Sequence, residues 1–188
     1  TLELLPIQAF VTEPAISARG RENYWGYNPI AFSAPHRGFA ATDNPITELQ
    51  DAVDALHEAG IEVVLDLVYN HTAEGGKDGP LLSMKGIDAR GFYHHSEDGS
   101  LQDFTGCGNT INASHPVVAS MITDSLLWWS EVIGVDGFRF DLTTSLSRES
   151  RKSDRISLID AISTHPILSR RKLIAEPWDV AGRSEEHT

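Results

Sequence analysis

Three observations predict an α/β fold built on a parallel sheet. Short apolar runs dense in Val, Ile, Leu and Phe alternate with segments of helical period. The runs lack the in–out alternation of a half-exposed sheet, so they read as strands buried on both faces. Polar residues stand where the runs end: Asp66 with Asn70 and His71, then Asp141, then Glu176. Groups at the exits of neighbouring parallel strands share one mouth, where such folds keep their chemistry.

Leu2 to Phe10 reads as the first strand. Residues 11–43, rich in Gly, Pro, Asn and aromatics, read as a long loop, and loops of that length inside a compact domain are commonly functional. Asn44 and Pro45 open a helix as N-cap and first helical residue. Ile46, Leu49, Val53 and Leu56 recur on its buried face, Glu48, Asp51, Asp54 and Glu58 on its solvated face, and Gly60 stops it. Ile61 to Val68 is the second strand. Residues 73–114 read as a second long loop, with His94 and His95 on its surface and no spacing that favours a metal. His115 and Pro116 start a helix with Val118, Ile122, Trp129 and Ile133 on its core face, Trp128 beside them, and Gly134 at its end. Val135 to Leu142 is the third strand. Ser153 to Ser169 reads as a helix disturbed by Pro166, and Leu173 to Glu176 as the fourth strand. With right-handed crossovers this order fits half of a (β/α)8 TIM barrel, a fold of ~250 residues. A doubly wound sheet competes, but it favours a Gly-rich phosphate loop after its first strand, and no such loop occurs.

The 188 residues suffice for one domain with a core, and the 40% hydrophobic and 22% charged content is that of a globular chain. A net charge of −12 argues against nucleic acid or an anionic membrane as the main partner. It fits a neutral, polyhydroxylated substrate or any acidic soluble protein. The single cysteine, Cys107, excludes an internal disulfide and points to a reducing, cytoplasmic setting. No run approaches the ~20 apolar residues of a membrane span. The chain opens at Thr1 inside an apparent core strand, so the native start is expected upstream. Residues 183–188 read as a non-native tail, a translated sequencing adapter, which leaves residues 1–182 as the natural segment.

Chemistry concentrates in Gly137-Phe138-Arg139-Phe140-Asp141 and in Glu176. Side chains alternate along a strand, so Arg139 and Asp141 face the same space. The cation is expected to lower the Asp141 pKa and keep that carboxylate ionised as a nucleophile. Glu176, between Leu-Ile-Ala and Pro-Trp, is expected in apolar surroundings that hold its proton. One ionised and one protonated carboxyl, ~5–5.5 Å apart, are what retaining glycoside hydrolysis requires. The plainer alternative is a structural Arg139–Asp141 ion pair with an incidental Glu. Asp66, Asn70 and His71 offer donors and acceptors for sugar hydroxyls, or simply terminate a strand. Tyr24, Trp25 and Tyr27 could stack on sugar faces, with rim packing an equal alternative for Trp25.

Taken together, Asp66-x-x-x-Asn70-His71, Gly137-Phe-Arg139-Phe-Asp141 and Glu176 resemble the ordered motifs of the α-amylase superfamily of glycoside hydrolases. Asn23-Tyr-Trp-Gly-Tyr-Asn-Pro29, Thr105-Gly-Cys-Gly-Asn-Thr-Ile-Asn112 and Ala175-Glu-Pro-Trp-Asp179 look most like the isoamylase and bacterial glycogen-debranching group. The Lys-His of typical α-amylases and the Gly-Glu-Gly-Trp of pullulanases are absent, and Thr143 stands where debranching enzymes often carry Ala. The resemblance implies barrel strands 2 to 5 with their helices, truncated at both ends. It makes Asp141 the nucleophile and Glu176 the general acid/base. Arg139 and His71 would contact the sugar at the scissile bond, Tyr27 would stack beneath it, and Asn70 and Trp178 would complete the binding residues. The family's third carboxylate would follow residue 182. The implied partner is a branched α-glucan such as glycogen or limit dextrin, cleaved at α-1,6 linkages without a cofactor or metal. Action on α-1,4 links, glucan transfer, or non-catalytic glucan binding are the alternatives. The segment alone is expected to be inactive and poorly folded.

Overall fold

The computed structural model describes residues 1–148 and 157–180. Four strands form one parallel sheet: β1 (Leu2–Leu4), β4 (Val63–Leu67), β5 (Gly137–Phe140) and β6 (Lys172–Ala175), in the order β1-β4-β5-β6. The remaining strands, β2 (Gln8–Phe10) and β3 (Pro29–Pro35), form a separate antiparallel pair. The mixed α/β order and parallel sheet are those expected. All five residues of β4 are buried, Asp66 among them, as a parallel strand covered on both faces requires. Among the described residues β1 and β6 are the end strands of the sheet, each with one edge unpaired, and all four residues of β6 are exposed.

Two expectations are corrected near the N-terminus. The run Leu2–Phe10 is two strands, because Pro6 has no N–H to give a ladder and turns the chain out of the sheet. The buried Gln8 side chain takes over there, accepting from the Val68 N–H at 2.8 Å and donating to the Phe32 carbonyl at 3.2 Å. The supposed loop 11–43 contains β3, which is bounded by prolines and irregularly registered against β2. Phe32 at its centre is buried, and its carbonyl also accepts from Ser125 Oγ and Trp129 Nε1 at 2.8 and 2.9 Å. That contact satisfies the indole N–H of the fully buried Trp129.

The helices follow their punctuation. In α2 (Pro45–Glu58) Asn44 Oδ1 caps the Thr47 N–H, and Gly60 takes φ +72° just beyond the end. Val53 is buried and Leu49 and Leu56 are half-buried against the core, while Ile46 in the first turn is exposed. The next long helix, α4 (Pro116–Trp128), continues as one π turn, Trp129–Ile133, that ends on Gly134 at φ +87°. Val118, Ile122, Trp129 and Ile133 all enter the core.

Residues 73–114 are not featureless. They hold α3 (Met84–Phe92), broken at Asp88, and isolated bridges Tyr93–Ile111 and His95–Leu101. Gly86 and Gly91 disguise this helix in the sequence. His94 is buried rather than on the surface, edge-on to Phe104. Beyond the short α1 (Pro14–Ser17) and α5 (Thr143–Leu146), the predicted helix 153–169 is described only from 157 on: α6 (Leu158–Thr164), then a 3-10 turn at Leu168–Arg170. Its start, and the tail 183–188, lie outside the described residues.

Candidate active site

The site is a consequence of register. Asp66 on β4 is the Cα partner of Arg139 on β5, and Arg139 is the partner of Ile174 on β6. Partners in a parallel sheet project to the same face, so the guanidinium lies over the strand exits. Its NH1 bonds both Asp66 oxygens at 2.9 and 3.1 Å and Asp141 Oδ1 at 3.0 Å. Its NH2 pairs with Glu176 Oε1 at 2.9 Å. One cation therefore joins three carboxylates from three adjacent strands. Close strand approach is needed for this. A Cβ on Gly137 would lie 2.6 Å from Lys172 Cβ, so glycine is what lets β5 and β6 meet.

Each carboxylate has a second partner. Asp66 Oδ2 accepts from the Tyr27 hydroxyl at 2.5 Å. Asn70 donates from Nδ2 to both Asp141 Oδ2 and the Asp141 carbonyl, at 2.8 and 2.9 Å. Glu176 Oε2 accepts from the Leu142 N–H at 2.9 Å. That N–H is aimed by Leu142 itself, the one non-glycine residue at positive φ (+44°) among those described. Thr143 ties the same two loops together. Its hydroxyl donates to Phe140 O at 2.8 Å and accepts from the Glu176 N–H at 3.1 Å, while its own N–H donates to Glu176 O at 2.9 Å.

The electrostatics differ from the sequence expectation. Burial pushes the Asp141 carboxyl up to about 6; the Asn70 bond and Arg139 pull it down, and the Glu176 charge pushes it up again. Arg139 does not hold Asp141 low because its charge is divided among three carboxylates. Burial also raises Asp66 despite its bonds from Tyr27 and Arg139. Glu176 does not sit in apolar surroundings: both its oxygens face donors, and the side chain keeps 24% of its exposure.

Asn70 and His71 lie beneath the surface of the site. His71 is 2% exposed, with Nδ1 at 2.6 Å from Asn70 Oδ1 and Nε2 at 3.1 Å from the Tyr27 carbonyl. Burial lowers its pKa to about 4, against the opposing pull of the Tyr27 carbonyl, so the ring is neutral at pH 7. The Asn70 amide nitrogen already serves Asp141, so its oxygen is an acceptor, and both His71 nitrogens face acceptors of which the neutral ring's single N–H serves one. The contacts Tyr27–His71–Asn70–Asp141 run from the aromatic loop to the buried carboxylate. Tyr27 is half-buried, and Trp178 stands 47% exposed on the turn after Glu176. Trp25 is not rim packing; it is 62% exposed.

Support from the 72–110 segment was not visible in the sequence. Asn109 brackets Thr72, donating to its carbonyl at 2.9 Å and accepting from its N–H at 3.0 Å. Glu74, fully buried, accepts from the N–H groups of Leu82, Ser83 and Lys85 and from the Tyr93 hydroxyl. The Lys85 ammonium is caged by the carbonyls of Glu74, Gly76 and Gly79 at 3.3, 2.6 and 3.0 Å. These bonds fix the stretch that leaves Asn70 and His71. The polar residues hint at it, but their pairing is set only by the fold. Among the described residues no group of three or more His, Cys, Asp or Glu is placed to hold a metal ion.

No protein-family model matches the chain. Solved structures do. Type I pullulanase from Bacillus subtilis str. 168, complexed with maltose, is 30% identical, with a TM-score of 0.71 over 94% of this chain and 24% of its own. Pullulanase from Paenibacillus barengoltzii, in complex with maltohexaose and α-cyclodextrin, is 27% identical, with a TM-score of 0.69 over 95% of this chain and 27% of its own. Pullulanase from Bacillus acidopullulyticus is 27% identical, with a TM-score of 0.69 over 98% of this chain and 22% of its own. The chain thus spans about a quarter of the length of the structures it matches. This similarity supports the α-amylase superfamily resemblance read from the motifs.

Proposed function

We propose that this chain is part of the catalytic (β/α)8 barrel of a retaining glycoside hydrolase that cleaves α-1,6 branch linkages in glycogen or a related α-glucan. The observation that carries the reading is the Arg139 guanidinium joining Asp66, Asp141 and Glu176 across three adjacent strand exits. A structural ion pair needs one carboxylate; a site that must present two reacting carboxylates to one sugar needs both held in a fixed frame. The open edges of β1 and β6 are where further barrel strands would add. The isoamylase and glycogen-debranching subgroup rests on the Asn23–Pro29 and Ala175–Asp179 motifs, and a cytoplasmic location on the single cysteine.

In this mechanism Glu176, half-buried at the exit of β6, protonates the glycosidic oxygen while Asp141 attacks the anomeric carbon. Burial and the neighbouring Glu176 destabilise the Asp141 charge, and forming the glycosyl ester discharges it. Water, deprotonated by Glu176, then releases the sugar with retained configuration. The third carboxylate of the superfamily would come from a later strand of the full-length protein. Tyr27 and Trp178 provide aromatic faces, and no step requires a cofactor.

The test is product analysis with the full-length gene product. Release of linear maltooligosaccharides from glycogen limit dextrin, with linear amylose untouched, is expected. Cleavage of amylose alone would reassign the site to α-1,4 links, and glycogen binding without cleavage would make the protein a binding module. Thr143 supplies a finer test. Thr143→Ala removes one of two acceptors for the Glu176 N–H, the Phe140 carbonyl remaining at 3.1 Å, so kcat should fall by no more than about fivefold, the loss of a contact of about 1 kcal/mol, with KM little changed. Thr143→Ser should restore it.

A further inference from the structure

The turn that carries Glu176 is gripped at both ends by one segment of the chain. At its near end the Leu142 N–H and Thr143 hold the Glu176 carboxylate and backbone. At its far end Arg148, just beyond α5, closes on Asp179. Nε and NH2 of Arg148 both donate to Asp179 Oδ2, at 2.9 and 2.5 Å. Asp179 is 2% exposed and Arg148 8%, a depth that charged side chains seldom reach unless paired. The guanidinium also lies 3.8 Å over the Phe104 ring, and the Phe104 carbonyl accepts from the Val180 N–H at 3.1 Å. Between the two grips, Thr143, Thr144, Ser145 and Leu146 of α5 are all buried, so a packed element joins them. The span from Glu176 to Asp179 is short and stiff. Pro177 fixes its own φ, and the Trp178 N–H returns to the Glu176 carbonyl at 3.0 Å. Movement at Asp179 is therefore passed to Glu176 rather than absorbed.

We propose that Arg148 is a positioning residue for Glu176: through Asp179 and Phe104 it fixes the Glu176–Asp179 turn, so that the Glu176 carboxyl meets the leaving oxygen beside Asp141. The proposal rests on the glycosidase reading for the role of Glu176. A buried ion pair is a poor source of stability, because desolvating both charges offsets most of their attraction. What it supplies here is direction. The planar guanidinium, stacked on Phe104, fixes the Asp179 carboxylate in one orientation, which an apolar pair of the same size would not do. The consequence is selective. Breaking a glucosidic bond expels a sugar alkoxide, a poor leaving group that needs the Glu176 proton as Asp141 bonds the anomeric carbon. Breaking a glycosyl fluoride forms the same ester with Asp141 and expels fluoride, which needs little proton assistance. A displaced acid therefore slows the first reaction and spares the second, whereas a general loosening of the fold slows both.

The test compares the full-length protein on glycogen limit dextrin and on α-maltotriosyl fluoride, reading kcat/KM because it covers the steps up to the glycosyl ester. Arg148→Met leaves the Asp179 carboxylate buried without the Arg148 cation and can disrupt the turn. The double variant Arg148→Met/Asp179→Leu, which removes both charges, is therefore measured beside it. In both, kcat/KM on limit dextrin should fall about tenfold or more, while that on the fluoride stays within about twofold of native. Arg148→Lys keeps the charge without the fork and should lie between. Equal losses on the two substrates, or no loss on limit dextrin, overturn the positioning role. A double variant that fails to fold overturns it too, because the pair is then structural. Native protein that hydrolyses neither substrate overturns the glycosidase reading and this inference with it; equal losses in an active protein overturn this inference alone.

Discussion

Asp141→Asn is expected to abolish turnover in the full-length protein while raising its thermal midpoint at pH 7. The loss follows from removing the nucleophile and should reach roughly three to four orders of magnitude in kcat. The stabilisation follows from the Asp141 carboxyl, held at about 6 in the fold against 3.8 as its ordinary value. A group whose folded pKa is raised contributes stability that is full below the unfolded pKa and lost as pH rises through the folded pKa. Above pH 6 the buried carboxylate is therefore a net burden, about 3 kcal/mol for a shift of about two units. Asparagine carries no charge, although its amide must then face the Asn70 amide, which returns part of the gain. Calorimetry from pH 4 to 8 should show the variant's advantage at neutral pH and its disappearance toward pH 4. Glucan binding should survive. A lower midpoint at pH 7 would recast Asp141 as one half of a structural ion pair.

The same residue shows where the sequence stops being informative. That Asp141 ends a buried parallel strand is legible from Val135, Phe138 and Phe140 before it, as are the Asn44–Pro45 start of α2 and the Gly134 end of the helical segment before β5. These are local signals, read within one turn or one strand. The direction of the Asp141 pKa is not local. Arg139 two residues away argues for a lowered value, but the sequence does not show that Asp66 and Glu176, from the strands on either side, compete for the same guanidinium. The Glu176 bond to the Leu142 N–H depends on a left-handed leucine that no composition rule anticipates. Thr143 read as a minor departure from a family pattern, and only the approach of the Glu176 turn makes its hydroxyl an acceptor there. Gly137 gives no hint of its purpose until β6 is placed beside it. Strand β3 is not legible in the sequence, because Pro29 and Pro35 bound it and its irregular pairing with β2 imposes no period-two pattern.

Arg139→Met should be the most damaging substitution in the site, and the damage should depend on pH. The side chain packs at 17% exposure among Asp66, Asp141 and Glu176, exposed by 4%, 12% and 24%. Removing one partner of a buried charge cluster costs about 3–5 kcal/mol, because the carboxylates left behind are desolvated and mutually repelling. Losing the cation drives the already raised Asp66 and Asp141 carboxyls further upward, so protonation relieves the repulsion. Urea unfolding of the full-length protein should show most of this loss at pH 7 and a clearly smaller one at pH 5, below the value at which Asp141 already titrates. An equal loss at both pH values would mean that the aliphatic stem matters more than the charge. Arg139→Lys should fall between, since an ammonium cannot reach Asp66 and Asp141 through one nitrogen and Glu176 through another. Its stability should recover more than its turnover. A point charge can neutralise the cluster from many positions, but only the planar fork holds nucleophile and acid in one frame, and catalysis depends on that frame.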